Sequence, residues 1–427
     1  MHWARTNFRG GGSNSQKYIN ISRSNLYEDG KAFLLRNSDP WKVGRFGRGR
    51  FTYYENKLYF SSSDNSSVFE NGRKYTFELI KSNEKIDTNI SYPCDIGIEI
   101  TNICNAKCIY CPLYQDNENT LMYPKGCMDM ELFKKIIDEI ALWPVYFSIY
   151  LNNGGEPLID KFFRERIAYL KEKGLSERII LQTNAEFLTE EKSQLLLDAG
   201  VSYIFPAFDG ATKEMYEKHR INCHYDKVLQ NIRTFARLRD EGDYGTSIQI
   251  KFMRTKWNEQ ELISTYYMFN EFLSPELDHF QEEYSHTWNE ANLKNAKFAL
   301  TEINSKKIVR ECRMANTYLA IYQNGDVGAC SLDYNHEVLG RALGNVKDDS
   351  LINIWTGKDF SNIRNSMHKL FNIPLKNKLV QKICGLPIKC RDCYLMYFQE
   401  ENIDNLLPDD KLYCKAAFSS YIYKFDR

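Results

Sequence analysis

ITNICNAKCIYCPLY, residues 100 to 114, holds three cysteines inside eight positions: Cys104, Cys108 and Cys111. Their spacing, C-x3-C-x2-C, decides how the chain is read. A structural zinc site closes with four protein ligands, and disulfides need pairs. Three thiols on one loop leave a corner open. A cubane iron–sulfur cluster takes one thiolate per iron, so three ligands leave one iron free for an outside molecule. An open position is what separates a chemical metal site from a structural one. A zinc knuckle with its fourth ligand elsewhere, or three buried thiols, are the plainer readings of the triplet alone.

The loop sits at the head of a repeating pattern. Short apolar runs alternate with charged amphipathic stretches from Asp95 onward. Six runs read as strands: DIGIEIT (95–101), VYFSIYL (145–151), RIILQT (178–183), SYIFPAF (202–208), TSIQIKF (246–252) and DHFQEEY (278–284). Helical patterns such as MELFKKIIDEIALW, KFFRERIAYLKEKG, EEKSQLLLDAG and HYDKVLQNIRTFARLRDEG lie between them. Repeated βα units imply a parallel sheet with right-handed crossovers. The expected fold is α/β, a partial (β/α)6 barrel. Its chemistry belongs at the C-terminal strand ends. That rule places the cysteine loop, Asn152 to Pro157, Thr183-Asn184, Asp209-Gly210 and Tyr284 to His286 on one rim.

These motifs resemble the radical S-adenosylmethionine (radical SAM) enzymes. EITNICNAKCIYC carries the acidic lead-in, Asn105 and an aromatic, Tyr110, just before the third cysteine. Gly154-Gly155-Glu156-Pro157 is similar to the family's GGEP motif, and LQTNA, with Asn184, to its Thr-Asn stretch. Ala185 stands where glycine is usual, and FPAFDG departs from the common S-x-D-G ending. The resemblance implies a [4Fe–4S] cluster on Cys104, Cys108 and Cys111, with S-adenosylmethionine on the fourth iron. It implies that Gly154, Gly155, Glu156 and Pro157 hold the cofactor's amino group, with Tyr110 near the adenine and Asn184 at the site. One electron then releases a 5′-deoxyadenosyl radical that takes hydrogen from a substrate. A flavodoxin- or ferredoxin-type reductant is the implied partner.

Six further cysteines follow residue 300: Cys312, Cys330, Cys384, Cys390, Cys393 and Cys414. C-x12-G-x4-C, from Cys312 through Gly325 to Cys330, resembles the opening of the SPASM and twitch auxiliary-cluster domains. LGNVKDDSLINIW, then Arg364, and the CRDC of Cys390 and Cys393 fit the same pattern. By resemblance, Cys312, Cys330, Cys390 and Cys393 hold one auxiliary [4Fe–4S] cluster, with Cys384 or Cys414 as substitutes. Six cysteines cannot close two four-cysteine cages. An auxiliary cluster either accepts the second electron of an oxidation or relays electrons to the first. A zinc site is the alternative for this region.

The rest of the chain sets limits. Its 427 residues exceed one ordinary core, and 56 basic against 56 acidic residues give no net charge to hold nucleic acid or an anionic membrane. MHWARTNFRGGGSNSQ has no apolar segment of a secretory signal, so a cytoplasmic location is expected. The expected division is a β-rich segment at 1–93, with 1–16 flexible, the radical SAM core at 94–300, the auxiliary domain at 301–400 and a helical tail at 401–427. Hairpin signals fall at Glu55-Asn56, Asn71-Gly72 and Asn324-Gly325.

Glu283, Tyr284, His286 and Asp209 are the candidate acid–base groups for a substrate, and Arg254, with Lys256, a cation for the cofactor carboxylate or the substrate. GRFGRGR (44–50) sets three arginines among glycines, a composition that suits phosphate as well as a solvated hairpin. The expected substrate is a small polar metabolite, sugar- or cyclitol-like, oxidised or epimerised. The alternatives are a peptide or protein side chain, or a non-catalytic zinc-bound binding protein. GGEP speaks against the last, which has no use for an amine clamp.

Overall fold

A computed structural model gives the architecture. It describes residues 3–7, 24–32, 51–79 apart from 55, 56 and 65, 92–111, 113, 123–285 apart from 146, 312–370, 387, 390, 412–416 and 420–425. The six apolar runs form six parallel strands. They are β1 (Asp95–Ile98), β2 (Ser148–Tyr150), β3 (Ile179–Thr183), β4 (Tyr203–Pro206), β5 (Ser247–Arg254) and β6 (His279–Tyr284). They lie side by side in chain order, as short βα units require.

Helices α1 (Met130–Ala141), α2 (Phe163–Glu172), α3 (Glu190–Ala199), α4 (Lys213–His219), α5 (Tyr225–Glu241) and α6 (Leu262–Asn270) connect or follow these strands. Their starts obey capping chemistry. Asp129 accepts from the backbone of Glu131 and Leu132, and Thr189 and Thr212 cap α3 and α4. Gly200 ends α3 at φ 76°, the left-handed turn that glycine adopts without strain.

Strand parity separates two faces. On β5 and β6, Phe252 and Phe280 make a tilted ring pair, and Phe280 meets Tyr266 of α6. Even-numbered residues there face the helices, so Gln249, Lys251, Gln281 and Glu283 face the barrel interior.

Both edges of the six-stranded sheet are covered. β7 (Tyr318–Ile321) lies parallel to β1, and the hairpin around Asn324-Gly325 continues into β8 (Asp326–Gly328) and β9 (Gly344–Asn345). Helices α7 (Arg313–Thr317), α8 (Leu351–Thr356) and α9 (Lys358–Leu370) complete this auxiliary region. On the far edge, β10 (Leu412–Ala416) and β11 (Ser420–Lys424) form an antiparallel hairpin whose second strand pairs with β6. This corrects the helical tail expected at 401–427. LYCKA and SYIYK are β-prone, and an open strand edge offers them a ladder.

Two expectations for the N-terminal segment also change. Trp3–Asn7, placed in a flexible stretch, is a strand paired with Lys57–Ser61. Asn71-Gly72 makes a turn with Gly72 at φ 69°, but the strand after it, Tyr75–Leu79, pairs with Ser24–Glu28 and forms no local hairpin. Phe51–Tyr54 and Lys57–Ser61 do pair as an antiparallel hairpin. The arginine–glycine stretch at 44–50 lies outside the described residues.

Candidate active site at the barrel rim

The cysteine loop leaves β1 and is pinned at several points. Lys107–Cys108 forms a two-residue antiparallel pair with Arg220–Ile221, Arg220 opposite Cys108. The Cys111 N–H donates to the Cys108 carbonyl at 3.0 Å. Cys104, Cys108 and Cys111 are all half-buried. Burial pushes the Cys104 thiol well up, with Glu156, Cys108 and Cys111 close enough to add to it. Burial raises Cys108 as well. Nitrogen donors face two of the sulfurs: Arg220 reaches Cys108 Sγ at 3.7 Å, and Asn184 Nδ2 lies 3.9 Å from Cys104 Sγ. Such donors suit thiolate ligands.

The Gly154–Pro157 turn after β2 lies flat on this loop. A Cβ on Gly155 would strike the carbonyl oxygens of Thr101 and Ile103, and one on Gly154 would meet Glu99 Oε2 and Leu113. The Glu156 N–H donates to the Ile103 carbonyl at 2.8 Å. Only glycine allows backbone against backbone here. The Glu156 carboxylate is buried. It accepts from Thr183 Oγ1 at 2.7 Å, the Leu158 N–H at 3.1 Å and the Asn184 N–H at 2.8 Å. A carboxylate has about four acceptor positions, so one remains for an ammonium group. Asn184 continues the network, donating to Asn105 Oδ1 at 2.9 Å. Ala185, where the family pattern has glycine, stands at φ 59°. That is the left-handed region in which glycine is least strained.

Asp209 is corrected from its expected acid–base role. It is fully buried, and protein donors occupy both oxygens. Oδ1 accepts from the Met253 N–H at 2.7 Å, while Oδ2 takes the Tyr110 hydroxyl at 2.6 Å and the Arg220 guanidinium at 2.7 Å. It ties β5 to the cysteine loop. Tyr110 therefore has its ring near Arg220, 5.7 Å from guanidinium carbon to centroid, and its hydroxyl on Asp209. Arg254 is also corrected. It lies on the helix-facing side of β5, paired with Glu259 and 3.7 Å from Glu282, away from the interior. Among the described residues the buried cation at the cysteine loop is Arg220, which the sequence reading missed. Its signal was slight: a basic residue closing the short helix after Asp209-Gly210.

Glu283 does face the interior, where Lys251 Nζ meets it at 2.6 Å. Tyr284 ends β6, and His286 lies outside the described residues. Beside the Lys251–Glu283 pair stand Gln249 with Gln281 at 2.5 Å, and Asn152 with Gln182 at 3.4 Å. Among the described residues, these inward positions of the barrel carry amides beside the Lys251–Glu283 ion pair. Sequence reasoning missed Lys251, Gln249 and Gln182, because only the sheet register reveals which alternate residues turn inward.

In the auxiliary region Cys312 heads α7, Cys330 follows β8, and the Cys390 N–H donates to the Pro387 carbonyl at 3.0 Å. Cys384 and Cys393 lie outside the described residues. Burial pushes the Tyr334 phenol well above its usual range, with Cys111, Tyr318, Glu99 and Cys330 all near enough to add to it. Among the described residues no three His, Cys, Asp or Glu side chains already close on a metal-sized point. The fit to a cluster rests on the loop, its N–H donors and the glycine cradle.

Comparison with known proteins agrees with this geometry. The profile of the radical SAM superfamily matches residues 98–254, and that of an iron–sulfur cluster-binding domain, SPASM, matches residues 312–394. A tungsten-containing aldehyde ferredoxin oxidoreductase cofactor-modifying protein of Pyrococcus furiosus is 24% identical, over 62% of this chain and 81% of the relative. An S-adenosyl-L-methionine-dependent 2-deoxy-scyllo-inosamine dehydrogenase of Niallia circulans is 28% identical, over 31% of this chain and 50% of the relative. Among solved structures, Streptococcus suis SuiB bound to precursor peptide SuiA is 15% identical, covering 64% of this chain and 66% of that one, with a TM-score of 0.48. No helix among the described residues is long and apolar enough to cross a membrane. The two profiles carry with them a [4Fe–4S] cluster, S-adenosylmethionine and an auxiliary cluster. Matching in chain order, over strands of one continuous sheet, they show that this protein belongs to the radical SAM superfamily, as an enzyme with a C-terminal SPASM domain.

Proposed function

We propose that the enzyme oxidises or epimerises a small, hydroxyl-rich metabolite held in the barrel interior. The carrying observation is the row of inward polar pairs: Asn152 with Gln182, Gln249 with Gln281, and Lys251 with Glu283. Amides offer donors and acceptors together, which hydroxyl groups need. Among the described residues the buried Oδ1 of Asn152 has no protein partner, which suits an acceptor for a ligand hydroxyl.

In this reading Cys104, Cys108 and Cys111 hold the first cluster, and Cys312, Cys330, Cys390 and Cys393 the auxiliary one. With S-adenosylmethionine bound, that site would supply the radical chemistry that abstracts a hydrogen atom from the substrate. The protein's own residues do the remaining work. Glu156 and the Gly154-Gly155 backbone receive the cofactor's ammonium. Arg220, beside Cys108, meets its carboxylate. Glu283 would receive the substrate hydroxyl proton, an auxiliary cluster on its cysteines would supply the acceptor for the second electron of an oxidation, and Lys251 holds the Glu283 carboxylate in place.

The test is anaerobic incubation of the loaded, reduced enzyme with S-adenosylmethionine and a panel of aminocyclitols, sugars and short peptides. Release of 5′-deoxyadenosine together with either loss of two hydrogens from a cyclitol or sugar or inversion of one of its carbon centres supports the reading. Turnover confined to peptides overturns it. Glu283→Gln is expected to lower kcat about 100-fold.

A further inference from the structure

We propose that the first strand of the auxiliary region forms part of the S-adenosylmethionine clamp, with Tyr318 as its positioning residue. The inference rests on the cofactor site described above.

β7 lies in register along β1, from Tyr318 opposite Asp95 to Ile321 opposite Ile98. Between them Gly97 has no side chain. A Cβ there would land on the Tyr318 hydroxyl and on Asn153 Oδ1. The absent side chain opens a slot, and the Tyr318 phenol crosses the inner face of β1 through it. Its hydroxyl donates to Asn153 Oδ1 at 2.9 Å. Asn153 Nδ2 turns back toward the carbonyls of Gly97 and Ile321, 3.4 Å from each. Asn153 is the residue immediately before Gly154-Gly155-Glu156-Pro157.

The next residue is held from the same side. Gly154 packs against Glu99 Oε2. The other oxygen of that carboxyl, Oε1, accepts from the Gln323 N–H at 3.3 Å and the Tyr123 hydroxyl at 3.1 Å. Thus Asn153, just before the clamp, and Gly154, its first residue, both rest on groups held in part by residues 318–323. Gly155 and Glu156 rest instead on the cysteine loop. The clamp is therefore strung between two supports, and one belongs to the auxiliary region. A tyrosine that only filled space would be equally served by phenylalanine. Here the hydroxyl makes the shorter of two contacts by which Asn153 is held to β7, the other being the Ile321 carbonyl.

The experiment uses full-length protein with both clusters loaded. Tyr318→Phe keeps the ring and removes the hydroxyl. The dissociation constant of S-adenosylmethionine is read from the change it causes in the electron paramagnetic resonance spectrum of the reduced first cluster. A single lost hydrogen bond predicts about fivefold weaker binding. The KM for S-adenosylmethionine rises by the same factor, kcat at saturation stays put, and iron content is unchanged. Asn153→Ala breaks the bond from its other end. It weakens binding to at least the same degree, and Tyr318→Phe added to it causes no further loss. Unchanged affinity in Tyr318→Phe, or independent effects that multiply, overturns the proposal. Failure of the wild type to bind the cofactor at all would instead overturn the cofactor site itself.

Discussion

Arg220 and Arg364 are both buried guanidinium groups beside cysteine-bearing segments, and their surroundings differ. Arg220 is paired with the Asp209 carboxylate at 2.7 Å and reaches a cysteine sulfur directly. Arg364 donates to two backbone carbonyls, Ala315 at 2.9 Å and Trp355 at 3.1 Å, near the ends of α7 and α8. Its guanidinium carbon lies 4.0 Å from the centre of the Trp355 ring. Burial alone pulls its pKa down to about 9. The barrel loop is thus fastened by formal charge. The auxiliary region is fastened by helix-end dipoles and aromatic faces, which suit a cation without a carboxylate. The first arrangement fixes a loop that must face a charged cofactor. The second joins segments far apart in sequence.

The largest test of this contrast removes the first site outright. Replacing Cys104, Cys108 and Cys111 with alanine is expected to lower bound iron from about eight atoms to about four, the content of one cubane. Loss of all iron would show that the two regions load as one unit. Next comes Gly155→Ala, whose Cβ meets backbone oxygens that cannot swing aside. Formation of 5′-deoxyadenosine should slow about 100-fold, as expected for ångström-scale misplacement, while the auxiliary cluster's iron persists.

Denaturation of the loaded protein compares the two cations themselves. Asp209→Asn leaves Arg220 buried without its counter-charge and should cost about 3–5 kcal/mol. Arg364→Met removes bonds to neutral carbonyls and should cost about 1–3 kcal/mol. Equal losses would erase the distinction between the two fastenings.

The smallest effect concerns Glu99, at the meeting point of the regions, where burial pushes the carboxyl up to about 8 from an ordinary 4.5. A carboxyl raised in the folded state favours folding most below its unfolded value. That advantage is lost as pH climbs through the folded value. The wild type should therefore melt progressively earlier than Glu99→Gln between about pH 5 and pH 8, by a few degrees.

The cysteine loop and the six strands were legible because each is local. Three thiols in eight positions and runs of Ile, Val and Tyr need no distant partner to be recognised. Asp209 was misread for the opposite reason. Its place at a strand end suggested an exposed base, but Tyr110, Arg220 and the Met253 N–H converge on it from three separate segments. Arg254 failed on parity: one residue's difference along β5 moves a side chain from interior to helix side. The C-terminal strands were hidden because their β character is realised only against the open edge of β6.

That edge, and its counterpart at β1, bears on how the chain assembles. During synthesis β1 emerges early, yet the neighbour that covers its outer side, β7, is made only after all six barrel strands. β6 waits likewise for residues 420–424. Until then both seams expose rows of unsatisfied amides and carbonyls, ready to pair with another chain. A fragment cut after residue 300 would keep every barrel strand and still carry two adhesive borders. The auxiliary region and the final hairpin are, in this sense, the stoppers that keep the barrel from polymerising.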